Sequence, residues 1–284
     1  MTSAAETVAA PRRSGPGAAT RAWRVVRHHA LTVYALLAFA YLMLPILVVV
    51  VFSFNDPIGR FNFTWQTFTL DNWLNPFAYP GLRDAVMTSL QIAALSSIVA
   101  TILGTLIGLA LVRYQFRGGG TTNFLIFLPM TTPEIVLGAS LLTLFLNFGV
   151  PLGFGTILLA HIMFNISYVV VTVRARLVGF DRHLEEAAMD LGANELVTFR
   201  RVTLPLIAPG ILAAALLAFA LSVDDFVITY LNAGAVVTFP LFVWGAARVA
   251  VPPQINVIGT AIFLVALLLM LANILWQWRR SGRS

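Results

Sequence analysis

Three acidic residues stand where a lipid bilayer would ordinarily reject them. Glu134 interrupts an apolar run in "PMTTPEIVLGASLL", flanked by Pro129 and Pro133, which free backbone carbonyls and can kink the helix, and Asp224 and Asp225 close another run in "ALSVDDF". A carboxylate in hydrocarbon is costly and usually faces a polar pathway. For Glu134 two readings stay open: a pathway group, or a structural group that is hydrogen-bonded in the bundle or hydrated near the surface. Asp224 and Asp225 sit at the expected C-terminus of a helix, where the macrodipole opposes negative charge, so a cation pathway or simple hydration must offset that cost. His161 and Asn165, one turn apart in "LAHIMFNISY", are the best candidates for an enzyme site. No carboxylate lies at helical spacing from them, so they read as packing residues. His28, His29 and His183 flank apolar runs and carry little information. Cys is absent, which removes disulfides, thiolate metal sites and cysteine nucleophiles. No catalytic residue, metal site or cofactor is expected in this chain.

The elements that must position these groups follow from composition. With 59% hydrophobic and 11% charged residues and a mean hydropathy of +0.86, the chain holds more apolar surface than one soluble core can hide. Its partner is a lipid bilayer. The formal net charge of +6 does not indicate nucleic acid, because the basic residues lie in gaps between apolar runs rather than in one patch. Six runs approach the roughly 20 apolar residues that a crossing helix needs: Leu31 to Phe54, Ala85 to Val112, Phe124 to Phe148, Leu152 to Val173, Ala208 to Ile228 and Ile255 to Trp276. The fold class expected is therefore an all-α membrane protein with six transmembrane helices. Residues 1–30 form an Ala-, Gly-, Pro- and Arg-rich tail expected to be disordered to about Ala22. Residues 31–278 form the membrane domain and 279–284 a second tail. The first apolar run exceeds a signal-peptide h-region and lacks a small-x-small cleavage site, so it reads as a retained helix.

Every one of the 18 basic residues is Arg, and their placement sets orientation. One side holds the tail arginines, Arg113, Arg117, Arg174, Arg176, Arg182, Arg200, Arg201 and the C-terminal arginines, whereas the other holds Arg60, Arg83 and Arg248. The positive-inside bias then puts both termini and the segment about 174–207 in the cytoplasm. Outside lies an aromatic, turn-rich loop from Asn55 to Leu82, whose Trp65 and Trp73 suit a membrane interface; it either rests on the membrane or meets an external partner. The last outer loop, Asn232 to Gln254, contains an apolar piece too short to span, either amphipathic or re-entrant.

The cytoplasmic segment "EEAAMDLGANELVTFRRVTLPL" reads as a solid object. Asp181 is a candidate N-cap, and Leu184, Ala187, Ala188 and Leu191 make one apolar stripe at i, i+3, i+4 and i+7. Gly192 stops this helix. A second short helix starts at Asn194 and is expected to bury Leu196 and Phe199 on one side, show Arg200 and Arg201 on another, and end before Pro205. Two short helices joined at a glycine suit a docking knob.

This pattern resembles the EAA loop of ABC-transporter permease subunits: Glu-Ala-Ala, three residues, Gly, nine residues, Ile, one residue, Leu-Pro. Glu186, Ala187, Ala188, Gly192, Leu204 and Pro205 match at that spacing, with Val202 in place of Ile. The resemblance implies a binding-protein-dependent importer in which the loop, between the fourth and fifth helices, enters a cleft on a cytoplasmic ATPase dimer. It also implies a sister permease subunit and an extracytoplasmic substrate-binding protein. The chain contains no G-x-x-x-x-G-K-[ST] phosphate loop and no Lys to build one, so ATP and Mg would be bound by the partner ATPase. "TTPEIVLGASLLTLF" and the stretch from Ser222 to Thr260 are further similar to spermidine/putrescine-type permeases, especially the second of their paired subunits. Acidic Glu134, Asp224 and Asp225 are what a polycation pathway would need. Within the importer class, ferric iron, thiosulfate or an opine-like solute is the alternative cargo. An ion-coupled secondary transporter would also use buried acids, but would not need the docking knob.

Overall fold

The computed structural model describes residues 18–114 and 117–281. The expected disorder of residues 1–17 and the final residues 282–284 lie outside them. Helix α1, Ala18–Phe52, already covers residues 18–30 of the expected tail. The outer segment follows with strands β1 (Asn55–Asp56) and β2 (Thr67–Phe68) and the short helix α2 (Asp71–Leu74). Then come α3 (Leu82–Arg113), α4 (Gly119–Thr131), α5 (Glu134–Asn147) and α6 (Phe154–Val178). Helices α7 (His183–Asp190) and α8 (Glu195–Thr198) lead through a π-helical turn, Phe199–Thr203, into α9 (Leu204–Asp224). The chain closes with α10 (Val227–Asn232), α11 (Phe239–Val249) and α12 (Pro253–Ser281), which takes in Arg279 and Arg280 of the expected C-terminal tail.

Four helical runs among the described residues are long and apolar enough to cross a bilayer: His29–Phe52, Leu82–Arg113, Phe154–Val178 and Glu195–Asp224. The third apolar run is bent at its prolines, more sharply than a kink within one helix. It is the pair α4 and α5, bent by 108°, because Pro133 forces Thr132 into extended backbone (φ −78°, ψ 133°). Counting that pair as one crossing gives five, and the apolar part of α12, Pro253–Leu268, is shorter than a full span.

The core is the three-helix packing of α3, α6 and α9, where Ala100, Val169, Val173, Ile207, Ala214 and Ala218 are buried together. Small residues let the axes approach: a Cβ on Gly104 would lie 2.6 Å from Val169 Cγ1. Around this core α4 packs on α6, α10 on α5 and α6, α11 on α3, and α1 on α12. From Leu31 on, helix α1 leaves most of its long apolar side chains exposed, which is the surface expected of a helix facing lipid.

The segment from Asn55 to Leu82 is folded. The buried Asn55 side chain donates to Asn62 Oδ1 (2.6 Å) and the Thr64 carbonyl (2.9 Å) and accepts from the Gln66 amide (2.7 Å). Asn72 donates to the Asn55 carbonyl at 2.9 Å. Trp73 is half-buried, stacked on Phe54 with its Nε1–H on Ser53 Oγ (3.1 Å), whereas Trp65 is exposed. Asn62 donates its amide to the Val251 carbonyl (3.1 Å), tying this segment to the α11–α12 connection.

Candidate functional site

The residues matching the loop motif fall on α7, the bend after it and the start of α9. Asp181 is one residue outside the expected N-cap position; its carboxylate accepts the His183 amide at 3.0 Å and contacts His183 Nδ1 at 2.7 Å. The contact with His183 lowers the Asp181 pKa, and Asp181 in turn raises that of His183. Glu185 and Glu186 lie in the first turn of α7, where the macrodipole favours acids. Gly192 ends the helix with φ +90°, a left-handed conformation that a side chain would strain. Asn194 caps α8 through its side chain, which accepts the Val197 amide at 2.9 Å.

The second short helix does not end before Pro205. In the π-helical turn the Leu204 amide reaches five residues back to the Phe199 carbonyl, and Pro205 then enters the first turn of α9, where its missing N–H costs no helical bond. Helix α7 buries none of its residues. Glu186 and Ala187 are exposed and Ala188 half-exposed. Leu191 is 90% exposed, and Leu196, expected to be buried beside Phe199, is 65% exposed, because α8 turns Thr198 and Phe199 toward the core instead. Apolar and small side chains on a short projecting element make a surface suited to a protein partner.

The acidic pair occupies the break between α9 and α10. Asp225 has an extended backbone (φ −62°, ψ 123°), and its side chain is 6% exposed. One carboxylate oxygen accepts the Thr229 amide (2.8 Å) and hydroxyl (2.7 Å) and lies 3.2 Å from His161 Nε2. His161 Nδ1 meets Ser222 Oγ at 2.6 Å, and Ser222 meets Ser96 Oγ at 3.1 Å. Nε2 also lies 2.9 Å from Thr229 Oγ1, and an arrangement that satisfies the chain has Ser96 donate to Ser222, Ser222 to Nδ1, Nε2–H shared between Thr229 Oγ1 and Asp225, and the Thr229 hydroxyl donate to Asp225. The cost of an acid at a helix end is thus met by an imidazole N–H and by the start of α10. Asp224, by contrast, is exposed beside a cleft of about 420 Å³ lined by Phe226, Phe239, Val243, Trp244 and Ile262. Arg248 rests over the Trp244 ring at 4.7 Å. Glu134 is exposed in the first turn of α5, one turn before Gly138, whose carbonyl accepts from Asn232 of α10 at 3.2 Å. Among the described residues no group of three His, Asp or Glu side chains converges to hold a metal.

A family described as binding-protein-dependent transport system inner membrane component matches residues 100–278. The chain belongs to this family. This inner membrane component is 38% identical over 236 residues to the spermidine/putrescine transport system permease protein PotC of Escherichia coli, covering 83% of this chain and 89% of that one. The same protein of Haemophilus influenzae is 36% identical, with 84% and 93% covered. The putrescine transport system permease protein PotI of Escherichia coli is 38% identical, with 84% and 85% covered. A solved bacterial ABC transporter involved in the import of alginate has the same fold: TM-score 0.64 at 14% identity, covering 92% of this chain and 99% of that one. An amino acid ABC transporter follows at TM-score 0.54 and 18% identity, with 76% and 99% covered. As a member of this family the chain is a multi-pass inner membrane component of a transport system.

Two features of the component were not visible in its sequence. His161 is a partner of Asp225, 64 positions on and on another helix; helical spacing could not reveal that contact. Arg113 reaches Glu185, 72 positions on, and only its place at the end of an apolar run marked it.

Proposed function

We propose that this chain is the permease subunit of an ATP-driven importer of polyamines of the spermidine and putrescine class. The observation that carries the reading is the exposed α7, which leaves Leu184, Ala187 and Met189 open to solvent among its acidic residues on a family member's connection between long helices, a surface suited to a protein partner. In this reading Glu186, Ala187, Ala188 and Gly192 enter a cleft on a cytoplasmic ATPase dimer, with Leu204 and Pro205 setting how α9 leaves the contact. Nucleotide-driven closure of the ATPases then rocks the core helices between two access states. Six crossings, both termini cytoplasmic, agree with the arginine distribution, α12 completing the set by extending past Leu268. A sister permease would supply the other half of the pathway, and an extracytoplasmic binding protein would deliver the solute.

The cargo assignment rests on the names of the relatives and on the chemistry of the acidic break. A primary ammonium is recognised by a carboxylate and by aromatic faces, each cation–π contact contributing about 0.5–2 kcal/mol. Exposed Asp224 beside Phe226 and Phe239 offers both. Asp225 is held by His161 and Thr229 and serves to shape the break, and Glu134 contributes negative charge on α5. The test is uptake of radiolabelled putrescine and spermidine into proteoliposomes containing the permease pair, the ATPase and the binding protein. ATP-dependent accumulation supports the reading; ATP hydrolysis stimulated by the binding protein without polyamine accumulation would overturn the cargo.

A further inference from the structure

Helix α7 has to pass its motion to the membrane helices, and with no buried residue of its own it has little apolar grip on them. Its polar grip is concentrated at one place. Glu185, only 14% exposed in its side chain, forms an ion pair with Arg113, the last residue of α3. The same Glu185 oxygen accepts the hydroxyl of Thr203, which is fully buried at the end of the π-helical turn. Arg113 also reaches Thr203 Oγ1 at 3.3 Å. Beside this contact Arg182 donates to the Val112 carbonyl at 2.8 Å, so α7 is fixed to the C-terminal end of α3 at two successive residues.

Three elements therefore meet at one charged hydrogen-bonded junction: the end of α3, the first turn of α7 and the entry to α9. Both α3 and α9 belong to the buried core with α6. The π-helical turn between α8 and α9 holds one more residue per turn than an α-helix, a local arrangement with a ready alternative register. Charge-assisted hydrogen bonds are directional and stronger than neutral ones, and a pair this little exposed is weakly screened.

We propose that the Arg113–Glu185–Thr203 junction is the clutch that hands displacement of α7 to α3 and α9 together, with Arg113 as a positioning residue that touches neither nucleotide nor cargo. The proposal rests on the importer reading above. It differs from a fold-stabilising role in one respect: loss of the junction should separate hydrolysis from transport.

The test uses the assembled complex in proteoliposomes, with Arg113→Gln, Glu185→Gln, Thr203→Val and the exchange Arg113→Glu with Glu185→Arg. Stoichiometry, ATP hydrolysis and labelled polyamine uptake are read on each. Arg113→Gln and Glu185→Gln are expected to lower polyamine carried per ATP by about tenfold, within the roughly 5- to 150-fold span of coupling between sites, with assembly and basal hydrolysis retained. Thr203→Val keeps the side-chain volume while removing the hydroxyl, and is expected to lose part of the coupling. The exchange should recover it, because the Thr203 hydroxyl can donate or accept. Variants that assemble and carry as much per ATP as the wild type overturn the proposal, as does an exchange no better than its single substitutions. A wild-type complex that hydrolyses ATP without carrying polyamine marks failure of the cargo reading instead; binding-protein stimulation of hydrolysis then reports on the junction by the same comparison.

Discussion

Removing His161 should be more harmful than removing the whole His161–Asp225 pair. In wild type the Asp225 carboxylate is nearly sealed from solvent and draws on three donors: His161 Nε2 at 3.2 Å, the Thr229 amide at 2.8 Å and the Thr229 hydroxyl at 2.7 Å. Breaking a buried pair by deleting one partner costs about 3–5 kcal/mol when the remaining charge is uncompensated. Here two of three donors survive, so His161→Ala is expected to cost about 2–3 kcal/mol, with the imidazole cavity included. In His161→Ala with Asp225→Ala no charge is left stranded, and the double variant should be more stable than His161→Ala alone. The assay is reversible unfolding in mixed micelles by detergent titration, followed through tryptophan fluorescence, as a double-mutant cycle. A coupling of about 1.5 kcal/mol or more is expected for groups in one network. Additive single effects, or a His161→Ala protein as stable as the wild type, would refute the role assigned to the pair.

Gly104→Ala places a methyl 2.6 Å from Val169 Cγ1; overpacking of this kind costs about 1–3 kcal/mol, and Val169→Ala in the same chain should recover part of it, read by the same unfolding assay. Asn55→Ala removes three hydrogen bonds from the outer segment, and hydrogen exchange across residues 55–72 should accelerate with a local loss of about 2–4 kcal/mol. The Asp181–His183 contact has a definite pH window: Asp181 is lowered and His183 raised, so the attraction is lost as pH falls through the Asp181 pKa and as it rises through that of His183. Asp181→Asn should bring the His183 titration, followed by NMR, down toward the ordinary imidazole range, and an unmoved midpoint would contradict the contact.

What could be read from sequence and what could not divides along local and distant contacts. Four of the six apolar runs, the glycine stop at Gly192 and the Asn194 cap depend on neighbouring residues, and each has its counterpart in the long helices, α7 and α8. Pro129 and Pro133 marked where the third run could kink, but hydropathy averages across them and gives no angle, whereas the backbone bends there by 108°. The stop before Pro205 failed for the opposite reason: an extra residue in the π-helical turn absorbs the proline, and no composition signal announces it. His161 was set aside for want of a carboxylate one turn away, yet its partner arrives from α10's threshold through tertiary packing. Asp224 and Asp225 look equivalent as neighbours in the chain, but the end of α9 turns one toward an aromatic cleft and the other into the bundle.

The central claim is that α7 and Gly192 couple ATP hydrolysis to polyamine movement, and Gly192→Asp tests it most directly. At φ +90° with open space around it, the substitution adds charge and backbone strain to the knob without a clash inside the membrane core. In proteoliposomes with the partner subunits, the wild type should accumulate labelled spermidine or putrescine in an ATP-dependent manner, and Gly192→Asp should insert normally but lose that uptake. Uptake at the wild-type level in the variant would contradict the account.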